Sequence, residues 1–356
     1  MPITFEAFNL LKVLLWSTLG FAVAMAWTPL LTGWLYKNQM WRKKVRDKTP
    51  DGYVPTEFQK LHKDKEVNTP RLGGLLIWVT TVVLSGGGWV LQRMTDSLFW
   101  ERFDLVSRNQ TWLPLFALAA ASLLGLLDDL MQIKGRGGYA GGGLRYTRRL
   151  GTVIAIGLIG AFWFYVKLEN SSIFIPWYGD LEIGWFYPVL FVLTMVAMFA
   201  SGVVDGLDGL SGGVFATMFG AFGTIALVQE QYDIAALCGL LLGATLAFLW
   251  FNIPPARFYM SETGSLGITV TLTIIAFLLD AVAVLPIIGF ILVIEVLGNV
   301  IQLTSKKLRH GKKVFRVAPI HHHFEAIGWP AYKVVMRFWV ISAVAATIGV
   351  AMQLLG

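Results

Sequence analysis

Charged residues are scarce in this sequence, and cysteine is almost absent. Asp, Glu, Lys and Arg make up 14% of the 356 residues, whereas 56% are hydrophobic. The apolar residues form uninterrupted blocks of about 15 to 20 residues, a length that crosses a bilayer as a helix. The single cysteine, Cys238, excludes an intrachain disulfide. The composition therefore predicts a polytopic membrane protein.

The apolar blocks predict an all-α polytopic membrane fold of about ten transmembrane helices, forming a single domain over residues 1–356. The first block is too long, and too far from a small-residue cleavage site, to be a removable signal peptide. The eighth is short. The predicted spans are 10–34, 72–91, 112–127, 150–166, 185–200, 210–228, 234–251, 266–279, 284–303 and 338–355.

The loop charges predict the orientation, because Lys and Arg are retained on the cytoplasmic side. The segment 37–71 carries ten Lys or Arg, 134–149 carries five and 306–316 carries six. The loops on the opposite side hold four Lys or Arg residues in total. This places the N-terminus outside, and it assigns most of the net charge of +7 to topology rather than to nucleic-acid binding. A short extracytoplasmic β-hairpin, to which we assign no chemistry, is predicted around residues 173–183.

Five acidic residues fall at the cytoplasmic ends of predicted spans that are far apart in sequence. Asp128 and Asp129 end the third span, Asp205 and Asp208 follow the fifth, and Glu262 precedes the eighth. Carboxylates at a membrane helix end are costly unless they face water, a partner or a cation. Their repetition on one face predicts a single cytoplasmic site that gathers a divalent cation such as Mg²⁺.

Several loops supply further candidate groups. The segment 134–149 combines six glycines with five Lys or Arg, which suits either a loop that closes over phosphates or a flexible linker, and both interpretations stay open. Asp205 and Asp208 are three residues apart, which puts both on one side of a helical turn. The Pro254-Pro255 pair predicts that residues 252–265 form a cytoplasmic turn.

Two features near the C-terminus also bear on function. Glu295 lies inside the ninth span, so it should face the bundle, near Asn299 or Gln302. Three consecutive histidines, 321–323, cannot all point at one metal in regular structure. We interpret them as hydrogen-bond donors to phosphate or sugar, with one or two free to ligate metal.

Motifs along nearly the whole chain resemble the phospho-N-acetylmuramoyl-pentapeptide-transferase family. The triple-histidine segment, followed by Gly328-Trp329-Pro330 and Arg337-Phe338-Trp339, is the most specific of them. It separates this branch from relatives that transfer N-acetylglucosamine phosphate. The other matching segments are Thr69-Pro70-x-x-Gly73-Gly74, Leu127-Asp128-Asp129, Asp205-Gly206-Leu207-Asp208-Gly209, Asn252-x-x-Pro255-Ala256 and Ala318-Pro319-Ile320-His321-His322-His323-Phe324-Glu325.

The resemblance implies a ten-helix, usually homodimeric enzyme of the bacterial cytoplasmic membrane, with both termini outside and a Mg²⁺-dependent cytoplasmic site. It would move phospho-MurNAc-pentapeptide from UDP-MurNAc-pentapeptide to undecaprenyl phosphate, giving lipid I and UMP. By motif position, the catalytic residues would be Asp128, Asp129, Asp205 and His321. The metal ligands would be Glu262 and Asp128, and the substrate-binding residues would be Lys65, Thr69, Arg149, Asp208, Asn252, His322 and His323.

Three positions depart from the family pattern. Gly202 stands where the family has Asn, which removes an amide from the uridine side of the pocket. Ser261-Glu262 replaces Gly-Asp, which keeps the metal-binding charge on a longer arm. Arg149 stands where Lys is usual, which keeps the charge but changes its geometry. We expect the substrate class to survive these changes and the metal geometry to differ.

The chemistry joins two anions, since a phosphate monoester carries about −1.5 to −2 charges at pH 7. Repulsion is therefore the main barrier, and neutralisation and alignment by Mg²⁺ and cations should dominate catalysis. We favour direct attack by the lipid phosphate over a two-step route with a covalent aspartate. The alternatives are a UDP-GlcNAc polyprenyl-phosphate transferase, a cation-coupled transporter, which would want mid-membrane carboxylates, and an inactive relative.

Overall fold

The computed structural model describes residues 5–43, 67–95, 97–106, 110–135 and 143–356. Lys65 and most of the glycine-rich stretch lie outside these ranges. The helices in chain order are α1 (Phe5–Lys37), α2 (Leu75–Met94), α3 (Leu98–Phe103), α4 (Trp112–Ile133), α5 (Tyr146–Phe162), α6 (Phe186–Ala200), α7 (Leu210–Val228), α8 (Tyr232–Asn252), α9 (Ser261–Leu278), α10 (Leu285–Ile288), α11 (Phe290–Leu308), α12 (Ile320–Ala326) and α13 (Ala331–Leu355).

The all-α prediction is confirmed. In the described part of the chain, nine helical segments are long and apolar enough to cross a membrane, and they coincide with nine of the ten predicted spans. A π-helical turn, Trp163–Lys167, extends α5, and a 3-10 turn, Ser201–Val204, extends α6. The one sheet in the described residues is the predicted hairpin, in which β1 (Ser172–Ile175) pairs antiparallel with β2 (Gly179–Glu182).

The ninth predicted span, 284–303, is two helices rather than one. The short α10 ends at Gly289, and α11 continues beyond the predicted end to Leu308. Buried positions recur along α11 every three or four residues, the period of a helix that packs on one side. Three of the six are polar, which makes α11 more amphipathic than the other long helices. The six buried residues are Ile291, Leu292, Glu295, Gly298, Gln302 and Ser305.

Alternate loops meet at opposite ends of the bundle. At one end, side-chain contacts join the start of α1, the loops after α7 and α9, the hairpin and the C-terminal helix. The loops that carry the predicted site residues lie at the other end. The contacts at the first end are Lys12–Asp233, Gln229–Leu279, Asp280–Phe174 and Asp280–Gln353, with distances of 2.6, 2.9, 3.0 and 3.2 Å.

Helices α4 and α9 approach each other so closely that only glycine fits at two positions. A Cβ atom added at Gly125 would lie 2.1 Å from the carbonyl oxygen of Glu262, and one added at Gly267 would lie 1.9 Å from Ser122 Oγ. Small residues at such contacts let membrane helices pack backbone to backbone. The contact places the acidic end of α4 directly against the first turn of α9.

Two predicted loops are partly helical. Residues 252–265 were predicted as one turn, but α8 includes Asn252 and α9 already begins at Ser261, so the connection is shorter and the eighth span longer than expected. The triple-histidine segment forms the short helix α12 (Ile320–Ala326). The sequence pattern missed the start of α9 because Ser261, the first residue of that helix, has a left-handed backbone, with φ +57°.

We expect Gly125→Ala to destabilise the protein, because the added methyl group collides with backbone atoms of α9 that cannot rotate away. Thermal unfolding in detergent, followed by tryptophan fluorescence, should show a lower melting temperature. Gly86→Ala is the matched control: it adds the same methyl group to α2 at a position where nothing lies within 4 Å. Equal melting of the two variants would show that α4 and α9 separate freely.

Candidate active site

Asp129 is a fully buried carboxylate with three hydrogen bonds. Arg71 donates to Oδ1 from Nη2 at 3.0 Å and from Nε at 3.2 Å, and the backbone N–H of Thr263 donates to Oδ2 at 2.8 Å. The Arg71 side chain is itself only 14% exposed. A buried charge is stable only with such partners. Sequence reasoning did not single out Arg71, although it lies inside the matching Thr69–Gly74 motif.

Asp128 binds the end of the glycine-rich loop. Its Oδ1 accepts a 2.6 Å hydrogen bond from the backbone N–H of Leu144, while Oδ2 accepts from Gln132 at 2.8 Å and from Arg149 at 3.3 Å. Gly143 has φ +92°, and a Cβ atom there would lie 2.8 Å from Oδ1. Glycine is thus required where this loop reaches the carboxylate. Gln132 was missed, although its i, i+4 spacing from Asp128 indicates the contact.

Arg149 links the two predicted metal ligands. Its Nη1 atom contacts both Oδ2 of Asp128 and Oε1 of Glu262. The two carboxylates therefore converge on one cationic position. Among the described residues, no group of three or more His, Cys, Asp or Glu side chains could hold a metal. Two convergent carboxylates nevertheless fit Mg²⁺, which is usually bound by one or two carboxylates together with substrate phosphates.

The Asp205 and Asp208 carboxylates both face the connection between α8 and α9, as their spacing predicts. Asp205 accepts from Ser211 Oγ at 2.7 Å and from the Ser261 N–H at 2.8 Å, and Asp208 accepts from the Ala256 N–H at 3.3 Å. Loss of hydration raises the pKa of Asp205 above its ordinary value, and the two hydrogen bonds oppose that shift. This turn is therefore fastened to the start of α9.

Asn252 and Thr69 both contact the connection between α8 and α9, and Asn252 also contacts the turn that carries Asp205 and Asp208. The buried Asn252 amide accepts from the Gly209 N–H and donates to the Phe258 carbonyl, each at 2.9 Å. Thr69 hydrogen-bonds the Tyr259 side chain, and burial raises the pKa of Tyr259 to about 12, so its phenol stays protonated at neutral pH. Asn252 thus holds neighbouring backbone in place, and Thr69 contacts the side chain of Tyr259.

The three consecutive histidines point in different directions, as the sequence predicts. His321 is fully buried beside the turn that carries Asp205, since a Cβ atom at Gly206 would lie 2.2 Å from its Nε2 atom. The other two rings contact α12 and the loop before it. Nδ1 of His321 lies 2.9 Å from Glu295 Oε2, and Nδ1 of His322 lies 2.7 Å from Glu325 Oε2. Nδ1 of His323 accepts a 3.2 Å hydrogen bond from the backbone N–H of Arg316.

The first turn of α9 connects the acidic groups. Its three successive residues, Ser261, Glu262 and Thr263, contact Asp205, Arg149 and Asp129, respectively. Arg149 in turn contacts Asp128. The structure thus brings together the predicted carboxylates, with His321 beside them against Gly206. Lys65 lies outside the described residues.

The sequence comparisons agree on one family. Residues 111–280 match the profile described as glycosyl transferase family 4. A phospho-N-acetylmuramoyl-pentapeptide-transferase of Oceanobacillus iheyensis is 33% identical over 347 residues, which cover 96% of this chain and 98% of that protein. This chain belongs to the phospho-N-acetylmuramoyl-pentapeptide-transferase family. A protein of the same name from Chloroflexus aurantiacus is 31% identical over 94% of this chain and 88% of its own length. One from Bacillus thuringiensis is 33% identical over 93% of this chain and 94% of its own length.

Each departure from the phospho-N-acetylmuramoyl-pentapeptide-transferase pattern has a defined setting. A Cβ atom at Gly202 would be 3.7 Å from its nearest neighbour, Ser265 Oγ, so the position has room for a side chain. Ser261 has the left-handed conformation that glycine adopts without strain. Glu262 and Arg149 contact each other directly. Two of the departures, the longer acid and the larger cation, therefore form one ion pair.

We expect Arg71→Leu to destabilise the protein strongly, because it leaves Asp129 as an unpaired buried charge. Breaking one side of such a pair costs about 3–5 kcal/mol. The melting temperature in detergent should fall by several degrees, whereas Arg93→Leu, which removes an exposed arginine at the other end of the bundle, should have little effect.

The double variant Arg71→Leu/Asp129→Asn distinguishes lost pairing from lost packing. It removes the charge together with its partner, so it should melt closer to the wild type than Arg71→Leu alone. A double variant that melts at or below the single variant would show that Arg71 contributes packing, not charge.

Proposed function

We propose that this protein transfers phospho-MurNAc-pentapeptide from UDP-MurNAc-pentapeptide to undecaprenyl phosphate, producing lipid I and UMP in the first membrane step of peptidoglycan synthesis. The observation that carries the proposal is the convergence of Asp128, Asp129 and Glu262 with Arg71 and Arg149 at one end of an apolar helix bundle. Such a site suits a reaction between two phosphates, one of them attached to a membrane lipid.

Mg²⁺ is the cofactor that we propose for this site, with Asp128 and Glu262 as its protein ligands. The two carboxylates share one cationic contact, the Arg149 guanidinium. When bound, the metal supplies positive charge to the diphosphate, which neutralises it for displacement. Arg149 would then move from between the carboxylates toward the substrate phosphates, to which its planar donors are suited.

The reaction forms a bond between an oxygen of the lipid phosphate and the phosphorus attached to the sugar. It breaks the bond from that phosphorus to the bridging oxygen, which leaves with UMP. We favour direct attack, because the oxygens of Asp128 and Asp129 already accept hydrogen bonds from protein donors. A nucleophilic aspartate would first have to lose these bonds. Trapping a phosphosugar-enzyme adduct would overturn this choice.

The remaining predicted residues take substrate roles in this proposal. Asp205 and Asp208 would hold the turn that faces the diphosphate, and His321 would donate to a phosphate oxygen from the opposite side. Arg149 would bind phosphate. Lys65, Thr69, Asn252, His322 and His323 would line or support the uridine and sugar side of the site.

An apolar groove beside the triple-histidine helix suits the polyprenyl chain. It has a volume of about 370 Å³ and is lined by side chains of α12, α13 and the segment between them. Arg337, 4.3 Å from the centre of the Trp329 ring, adds a cation to it. We propose that the isoprene units next to the lipid phosphate lie here, with the phosphate directed toward the acidic site. The lining residues are Phe324, Trp329, Arg337, Phe338, Val340 and Ile341.

The proposed location is the bacterial cytoplasmic membrane, with the site facing the cytoplasm and both termini outside. The loop charges support this orientation, because the segments richest in Lys and Arg are those at the site end. The start of α1 and the end of α13 belong to the opposite end of the bundle. We also propose a homodimer, as the family resemblance implies.

The proposal is tested with purified protein in detergent, UDP-MurNAc-pentapeptide and undecaprenyl phosphate. UMP and a lipid-linked product should form together, only with Mg²⁺, and UDP-GlcNAc should be a poor donor in parallel reactions. Turnover of UDP-GlcNAc alone would reassign the chain to the N-acetylglucosamine-phosphate transferases. Folded protein that turns over neither donor would contradict a transferase function.

Glu262→Gln should lower UMP release by about 100-fold or more, because it removes a charge from the proposed metal site. The loss should persist at every Mg²⁺ concentration. The rise in melting temperature that Mg²⁺ causes should also shrink, which reports binding without turnover. Glu169→Gln, at an exposed position on the opposite side of the membrane, is the matched control. Near-normal turnover of Glu262→Gln would remove Glu262 from the metal site.

A further inference from the structure

Glu295 is a fully buried acid on α11 that none of the roles above uses. Its side chain is 0% exposed. A carboxylate in such a place is costly, and acids inside membrane segments are usually functional. The sequence correctly predicts that it faces the bundle. Its contacts, however, are not with Asn299 or Gln302 but with the triple-histidine helix.

Glu295 contacts the first two residues of α12 through one oxygen. Its Oε2 atom accepts a 3.1 Å hydrogen bond from the Ile320 N–H and lies 2.9 Å from His321 Nδ1. The His321 ring is fully buried as well. An acid that holds the backbone of a neighbouring helix and lies beside the next ring restricts how that ring is oriented.

The other ring nitrogen of His321 faces the Asp205–Asp208 turn. Its Nε2 atom is so close to Gly206 that a Cβ atom there would lie at 2.2 Å. This buried nitrogen has no hydrogen-bond partner among the described residues. Only glycine leaves space at this point. His321 therefore has Nδ1 within 2.9 Å of Glu295, without a hydrogen bond among the described residues, and Nε2 facing the site.

We infer that Glu295 is a positioning residue for His321: its carboxylate holds the start of α12 and lies beside Nδ1, so that Nε2 faces the substrate diphosphate. The inference deepens the proposed function and rests on it. A ring in this orientation has Nε2 placed to hydrogen-bond an oxygen of the diphosphate. His322 makes the analogous contact with Glu325, 2.7 Å away, and is 4.2 Å from the His321 ring centre to centre.

Glu295→Gln tests the inference, because it keeps the shape and removes the charge. We expect kcat to fall by about 10- to 100-fold, with KM for both substrates little changed, since the defect lies in the aim of a catalytic donor. Glu295→Asp, which keeps the charge, should retain more activity than Glu295→Gln. Asn299→Ala, one turn further along the same helix, is the matched control and should change kcat by no more than about twofold.

A double-variant cycle separates positioning from general stability. If Glu295 acts through His321, Glu295→Gln should cost no more than about twofold when His321 is already replaced by Asn. The same loss in both backgrounds would overturn the inference. So would a rise in KM at constant kcat, because that result would assign Glu295 to substrate binding alone.

Histidine-selective ¹⁵N spectra of the detergent-solubilised protein test the same inference without turnover. The His321 signals, identified by their loss in His321→Asn, should move to different chemical shifts in Glu295→Gln, because the ring loses the charge beside Nδ1. The His322 signals should stay as they are. An unchanged His321 spectrum in Glu295→Gln overturns the inference. Absent turnover of the wild-type protein would instead overturn the proposed function and leave this spectral result standing.

Discussion

The hydrogen bond from the Thr263 N–H to Asp129 joins the end of one membrane helix to the start of another, and the rest of the site depends on it. A carboxylate at this depth requires partners. Arg71 supplies the charge, and α9 supplies a backbone donor that cannot be lost by substitution of a side chain. Because the adjacent residues Ser261 and Glu262 reach Asp205 and Arg149, and Arg149 reaches Asp128, one helical turn links all of these acids except Asp208.

The acidic cluster could be predicted from the sequence, because each carboxylate ends an apolar run and the alternation of spans brings those ends to one face. The contacts within the cluster could not. Arg71 and Gln132 belong to segments whose local pattern indicates only a loop and a helix, and their partners are distant in the fold. The partner of Glu295 also escaped prediction, since the nearest polar residues on its own helix were the natural candidates and the actual one is on α12.

The number of spans shows the same limit. Composition predicts ten apolar spans, and nine of them are long apolar helices in the described residues. The break at Gly289 and the amphipathic α11 follow from packing against the bundle, which composition does not report. The unusual pair Glu262 and Arg149 likewise becomes apparent only in the structure: the longer acid contacts the larger cation, so the two departures meet in one ion pair and preserve the net charge of the site.

The glycine contact between α4 and α9 has a consequence for the surrounding lipid. Gly125 packs against backbone and Gly267 against the short Ser122 side chain, so the contact has no long flexible side chain to absorb a sliding motion. A change in bilayer thickness, which membrane helices otherwise accommodate by tilting, would therefore move the two acidic helix ends as one rigid unit. Membrane composition can then alter how that unit meets the lipid phosphate, while the distances between its own carboxylates stay constant.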